Sequence, residues 1–125
     1  MAQPLRSTMT NRWVGVTIDC VDVEWVADFW SALLDRPRGP SRPGWVYLGH
    51  SDDPLPRLVF QPVTDAKRGK VRVHLDIAVD DIDKGIAQVI DLGGRHTGER
   101  HDYDEGVVVV VADPEEHEFC LVQYY

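Results

Sequence analysis

His74 and Asp76 stand two residues apart in a stretch whose alternate positions, Val71, Val73, Leu75, Ile77 and Val79, are aliphatic. Period two is strand periodicity, so His74 and Asp76 share one face with Arg72 and Ala78, spaced about 7 Å apart. An imidazole beside a carboxylate can act as a general base with its orienting group. It can equally be a structural or ligand-binding pair. Two further residues carry sulfur, Cys20 and Cys120. They are too few for a disulfide framework or a paired-cysteine zinc motif and read as reduced thiols, Cys120 as a small buried apolar side chain. Trp13, Trp45 and Tyr47 can form an aromatic wall for a flat or cationic ligand, or simply pack. His50, His96, His101 and His117 fall in loops or at strand ends, where solvated positions are expected. The acidic run Asp102 to Glu105 around Tyr103 reads as a solvated turn or as the lip of a cavity. There is no phosphate-cradling glycine loop, nucleophile elbow or zinc-protease helix.

The elements that must position these residues follow from patterning. Trp13 to Cys20 alternates strictly, with Val14, Val16, Ile18 and Cys20 on one face and Trp13, Gly15, Thr17 and Asp19 on the other. Asp22 caps a helix running to about Asp35, with Glu24 in its first turn. Its stripe is Val23, Val26, Ala27, Trp30, Leu33 and Leu34. Trp25 and Phe29 lie on its flank, as a dimer contact, a docking place for the tail or a wider core. Residues 36–44 are a loop by composition. Short strands are expected from Trp45 to His50 and from Arg57 to Val63. After the polar connection 64–70 the strand carrying His74 leads to Asp81, the cap of a helix bearing Ile82, Ile86, Val89 and Ile90 and ending at Gly93-Gly94. Val107 to Val111 is a buried strand, Asp113 to Glu116 a turn and His117 to Tyr124 the last strand.

The chain is thus a strand, a helix and further strands written twice. A shift of about 59 residues superposes Val14 on Val73, Ile18 on Ile77, Asp22 on Asp81 and Phe60 on Phe119. The expected organisation is one domain, with a tail at 1–11, modules at 12–64 and 71–125 and a linker at 65–70. A length of 125 residues suits one domain with a real core. The net charge of −8 repels phosphate backbones and anionic lipid, which argues against nucleic-acid or membrane-surface binding. No apolar run approaches the roughly 20 residues of a membrane span, and the N-terminus lacks the apolar centre of a signal peptide. A cytoplasmic protein is expected.

The strand into Asp22 followed by Phe29-Trp30-Ser31-Ala32-Leu33-Leu34, then Phe60-Gln61-Pro62-Val63, Val73-His74-Leu75-Asp76 and Asp113-Pro114-Glu115-Glu116-His117-Glu118-Phe119-Cys120-Leu121, resembles the vicinal oxygen chelate superfamily. These are the glyoxalase, bleomycin-resistance and extradiol-dioxygenase relatives, and the chain looks most like their glyoxalase-like domain branch. The resemblance spans about residues 12–125. It implies an α+β fold of two βαβββ modules whose sheets curl into an open, cavity-enclosing mixed sheet with helices outside. The polar face of each first strand would line the cavity.

Metal-dependent members hold a divalent ion with four ligands. By resemblance these positions fall at Gly15, Gln61, His74 and Cys120, the shift pairing Gly15 with His74 and Gln61 with Cys120. Glycine offers no donor, Gln61 is a weak neutral oxygen and Cys120 replaces a carboxylate. The site reads as degenerate: no cofactor is expected, and any metal would have only His74, Gln61 and Cys120. The expected catalytic residues are His74 and Asp76, and the expected cavity residues Trp13, Thr17, Asp19, Gln61, Arg72, Glu118 and Cys120. Two functions follow from the resemblance. One is a small-molecule-binding protein with lyase or isomerase chemistry. The other is a bleomycin-resistance-like protein that sequesters a cationic or aromatic molecule without turnover. Either is expected to be a homodimer.

Overall fold

A computed structural model describes residues 13–50, 52–69 and 73–125. The first strand, β1 (Gly15–Cys20), leads into helix α1 (Val23–Leu34) and then β2 (Arg38–Gly39), β3 (Val46–Leu48) and β4 (Arg57–Pro62). The second half runs β5 (Asp76–Ala78), α2 (Ile82–Asp91), β6 (Arg95–Tyr103), β7 (Gly106–Ala112) and β8 (Glu118–Tyr124). The strands form two four-stranded mixed sheets, ordered β1-β4-β3-β2 and β5-β8-β7-β6, which do not close into a barrel. In each sheet the first strand pairs in parallel with the last and the others are antiparallel.

Both helices start where expected. The Asp22 carboxylate accepts from the Trp25 N–H and that of Asp81 from the Lys84 N–H, each satisfying an amide that the first helical turn leaves open. α2 stops at Gly93-Gly94. Gly93 has φ 101°, and a Cβ on Gly94 would collide with the Ala112 carbonyl. The helices cover the aliphatic faces. Val26, Ala27 and Trp30 of α1 and Val89 of α2 share one buried cluster with Cys20, Phe60, Val109, Val111, Phe119 and Leu121. Phe29 belongs to it as well, 2% exposed, so of the two flank residues only Trp25 stays half-exposed. Trp30 and Phe119 bring the halves together, their rings 4.5 Å apart, with Phe29 edge-on to both.

Three expectations are corrected. The strand proposed from Val71 to Val79 is ordered as β5 only over Asp76–Ala78, with 71 and 72 outside the described residues. Asp76 opposes Cys120, so continuing the ladder backwards would set Val73 against His117, which belongs to the preceding turn and has other partners. The alternation runs past the end of its partner strand. The long strand β6 carries no strand signal in the sequence because it is polar on both faces. It is a sheet edge, mostly exposed, and its charges guard that edge against further pairing. A register shift between His96 and Arg100 bends it, with Gly98 at φ 93°.

The third correction concerns the repeat. A single shift would set Ile77 against Phe119, as Ile18 lies against Phe60, but Ile77 faces Leu121. The second ladder has slipped by two residues, although both caps keep the original spacing.

The turn between β7 and β8 binds the first half to the second. Asp113, 1% exposed, is the only buried charged residue among those described. Its carboxylate accepts from Trp30 Nε1 (2.9 Å), the Glu115 N–H (2.9 Å), the His117 N–H (3.0 Å) and His117 Nδ1 (2.7 Å). The neighbouring Glu115 carboxylate accepts from the Val21 and Asp22 N–H groups at 2.7 and 2.5 Å, where the α1 dipole favours negative charge. Asp113→Ala strips four donors of their acceptor in a dry site and should cost about 3–5 kcal/mol, read as a lower urea midpoint at unchanged slope.

Candidate functional site

A cavity lies at the seam between the sheets, where edge strand β1 and the residues leading into β5, Val73 and Leu75, meet under the connection 63–68. Its volume is about 640 Å³, within the range of small-molecule sites. Val16, Ile18, Trp30, Leu75 and Phe119 make an apolar floor. Thr17, Asp19, Glu118 and His117 stand on the strand side, and Asp65, Lys67 and Arg68 on the connection. Strand alternation produces this mixture: at its edge β1 offers the core-facing Val16 and Ile18 together with the exposed Thr17 and Asp19. Glu118 Oε1 is buried with no hydrogen-bond partner among the described residues. A carboxylate oxygen so placed lacks a donor that a ligand can supply.

Of the expected cavity residues, Thr17, Asp19 and Glu118 line this cavity. Gln61 is one step removed, its Nε2 donating to Asp19 Oδ1 at 2.6 Å across the β1–β4 ladder. His74, Asp76 and Cys120 form a separate group on the second sheet. His74 Nδ1 is 3.9 Å from Cys120 Sγ, and Asp76 is the ladder partner of Cys120. Asp76 also lines a smaller cleft of about 200 Å³ with Tyr103, Glu105 and Tyr124. Trp13 is largely exposed, and its indole N–H donates to the Gly15 carbonyl at 3.0 Å. Arg72 lies outside the described residues.

The aromatic wall is differently employed. The Arg42 guanidinium sits 4.7 Å from the Trp45 ring centre and that of Arg57 4.4 Å from Tyr47. Each ring thus already carries a cation of this chain.

His117 and the connection residues Lys67 and Arg68 were not foreseen. His117 is not a solvated surface residue: its Nδ1 meets Asp113 and its Nε2 lies 2.8 Å from the Asp19 carbonyl. A signal was present in Asp113-Pro114-Glu115-Glu116-His117, since an Asp opening a turn commonly binds backbone and side chains just ahead of it.

Neither thiol is poised for nucleophilic attack. Burial, then the charges of Glu115, Asp113, Asp19 and Asp22, push Cys20 up to about 12. Burial, then the charge and hydrogen bond of Asp76, then Glu99, raise Cys120 above its ordinary value.

A resident metal of the superfamily type does not fit this donor set. Gln61 is committed to Asp19 on the first sheet, while His74 and Cys120 are on the second and Cys120 is held as a thiol. The ladder slip also removes the pairing of Gly15 with His74: Gly15 is four residues from the Asp19–Gln61 pair, and His74 two from Asp76–Cys120. No group of three or more His, Cys, Asp or Glu residues among those described could hold an ion.

Residues 15–122 match the family model described as "Glyoxalase-like domain". The chain belongs to that family. Solved structures agree on the fold. A glyoxalase/bleomycin resistance protein/dioxygenase family enzyme from Burkholderia phytofirmans is 16% identical with TM-score 0.72, the match covering 88% of this chain and 96% of that one. A fosfomycin resistance protein from Mesorhizobium loti is 15% identical with TM-score 0.70, covering 94% and 95%. A lactoylglutathione lyase from Agrobacterium tumefaciens is 12% identical with TM-score 0.63, covering 92% and 95%. At these identities the likeness is one of fold, and chemistry differs among the neighbours. No curated protein matches the sequence significantly. Among the described residues, no helix is long and apolar enough to cross a membrane.

The thiol environments give a direct check. Native protein at pH 7 should leave Cys20 unmodified by a thiol-specific disulfide reagent and Cys120 slow to react, with both titrating at once in denaturant. A fast-reacting Cys120 would contradict its placement.

Proposed function

We propose that this glyoxalase-like protein binds a small organic molecule in the seam cavity, holding an apolar body against Val16, Ile18, Trp30, Leu75 and Phe119 and a cationic or donor group against Glu118 and Asp19. The observation that carries this reading is the buried, unpartnered Glu118 Oε1 at the wall of an apolar-floored cavity of about 640 Å³. A net charge of −8 draws in cations. Binding without turnover agrees with the two protonated thiols and the incomplete metal donor set. The expected homodimer would pair the open sheets of two copies, and sedimentation at micromolar concentration tests it.

The second reading is an enzyme of lyase or isomerase type using His74 and Asp76 as acid and base. The approach of His74 to Cys120 beside Asp76, next to the smaller cleft, favours it.

Quenching of tryptophan fluorescence separates the two, because Trp30 floors the seam cavity. In a panel of organic cations with apolar bodies, ligands that bind should lose about tenfold in affinity, or about 1.4 kcal/mol, with Glu118→Gln. They should lose nothing with His74→Ala. A ligand whose binding or turnover depends on His74 and ignores Glu118 would move the function to the second sheet.

A further inference from the structure

We propose that His117 is a charged latch: its imidazolium ties the turn between β7 and β8 to strand β1 at the rim of the seam cavity, and loss of that one proton loosens the rim. His117 Nδ1 lies 2.8 and 2.7 Å from the two Asp113 oxygens, and Nε2 lies 2.8 Å from the Asp19 carbonyl oxygen. All of these partners are acceptors. A neutral imidazole has one N–H and can satisfy one side only, whereas the imidazolium donates on both. The geometry is that of the charged ring.

The surroundings agree. The turn brings Asp113 and Glu115 to the ring, β1 brings Asp19, and Asp22 follows at the start of α1. β8 contributes Glu118, and α1 faces the site with uncharged Trp30. The connection contributes Asp65 and the cations Lys67 and Arg68 on the same cavity, while Glu116 is engaged by Arg95. Carboxylates outnumber cations around the ring. Burial by itself would lower the His117 pKa. The hydrogen bond and charge of Asp113, the Asp19 carbonyl and the Glu115 charge outweigh burial and leave it above its ordinary 6.5.

The sign follows. The folded value lies above the unfolded one, so the stabilisation is complete below pH 6.5 and is lost as pH rises through the folded value. The neutral ring must give up either Asp113 or Asp19. In the first case the buried carboxylate loses its counter-charge; in the second β1 is freed where Thr17 and Asp19 line the cavity. Glu115 holds the Val21 and Asp22 amides from the same turn, so those amides should report the change. This latch does not depend on what the cavity binds.

The test is an NMR titration of histidine rings and backbone amides from pH 5.5 to 9.5, with urea denaturation of the protein and of His117→Gln over the same range. One ring resonance, absent from H117Q, should titrate above 6.5, and the Val21 and Asp22 amides should move with the same midpoint. The advantage of the protein over H117Q in folding equilibrium constant should shrink about fivefold or more across that midpoint. A His117 ring that titrates at or below 6.5, amides that ignore it, or a stability difference independent of pH would each overturn the latch. If H117Q does not fold, the ring and amide titrations of the unaltered protein decide the question alone.

Discussion

The buried carboxylate of Asp113 is the constraint on which the junction of the two halves depends. A charge with no exposure is tolerated only when its oxygens are fully engaged, and Asp113 collects its donors from three places: an indole on α1, two amides of its own turn and an imidazole on β8's approach. Each donor fixes something else. The indole holds Trp30 against Phe119, the amides shape the turn that presents Glu115, and the ring reaches across to β1. Sheets that share no ladder are therefore registered against each other by polar bonds as well as by packing, and the seam cavity takes its shape from that registration.

The polar bonds and the cavity use the same residues on different faces. Trp30 donates its N–H to Asp113 and gives its ring to the floor. Asp19 gives its backbone oxygen to His117 and its side chain to Gln61, both at the wall. A ligand entering the seam touches the joint between halves, so binding and the stability of the joint are thermodynamically coupled. His74, Asp76 and Cys120 are grouped on the second sheet, away from the Asp113 carboxylate.

Much of the architecture was legible in the sequence because it is carried by local signals. Alternation gave β1, and Asp22 and Asp81 marked both helix starts through the amides they satisfy. What escaped was set by partners far along the chain. β6 shows no apolar period because both of its faces are mostly exposed, and the strand after the linker looks longer than it is because pairing ends at the turn. Strand parity put Thr17 and Asp19 on the cavity face and both line it, but the same parity put His74 and Asp76 there, where Val73 and Leu75 stand instead. His117 was not legible, since its partners are 4 and 98 residues away and only folding brings them to one ring. Trp45 and Tyr47 looked available because sequence cannot show that Arg42 and Arg57 already lie over them.

The two-residue slip between the ladders has a consequence for how such a molecule can diverge. Side chains of a strand alternate between faces, so a slip of one residue would turn β5 inside out, exchanging Asp76 for Ile77 against the helix layer. A slip of two preserves parity. Duplicated halves are then free to drift along one another only in even steps, like a ratchet whose odd teeth are lethal. Each permitted step gives every residue of β5 a new neighbour, as Ile77 faces Leu121 in place of Phe119, while the apolar side chains stay on the helix side.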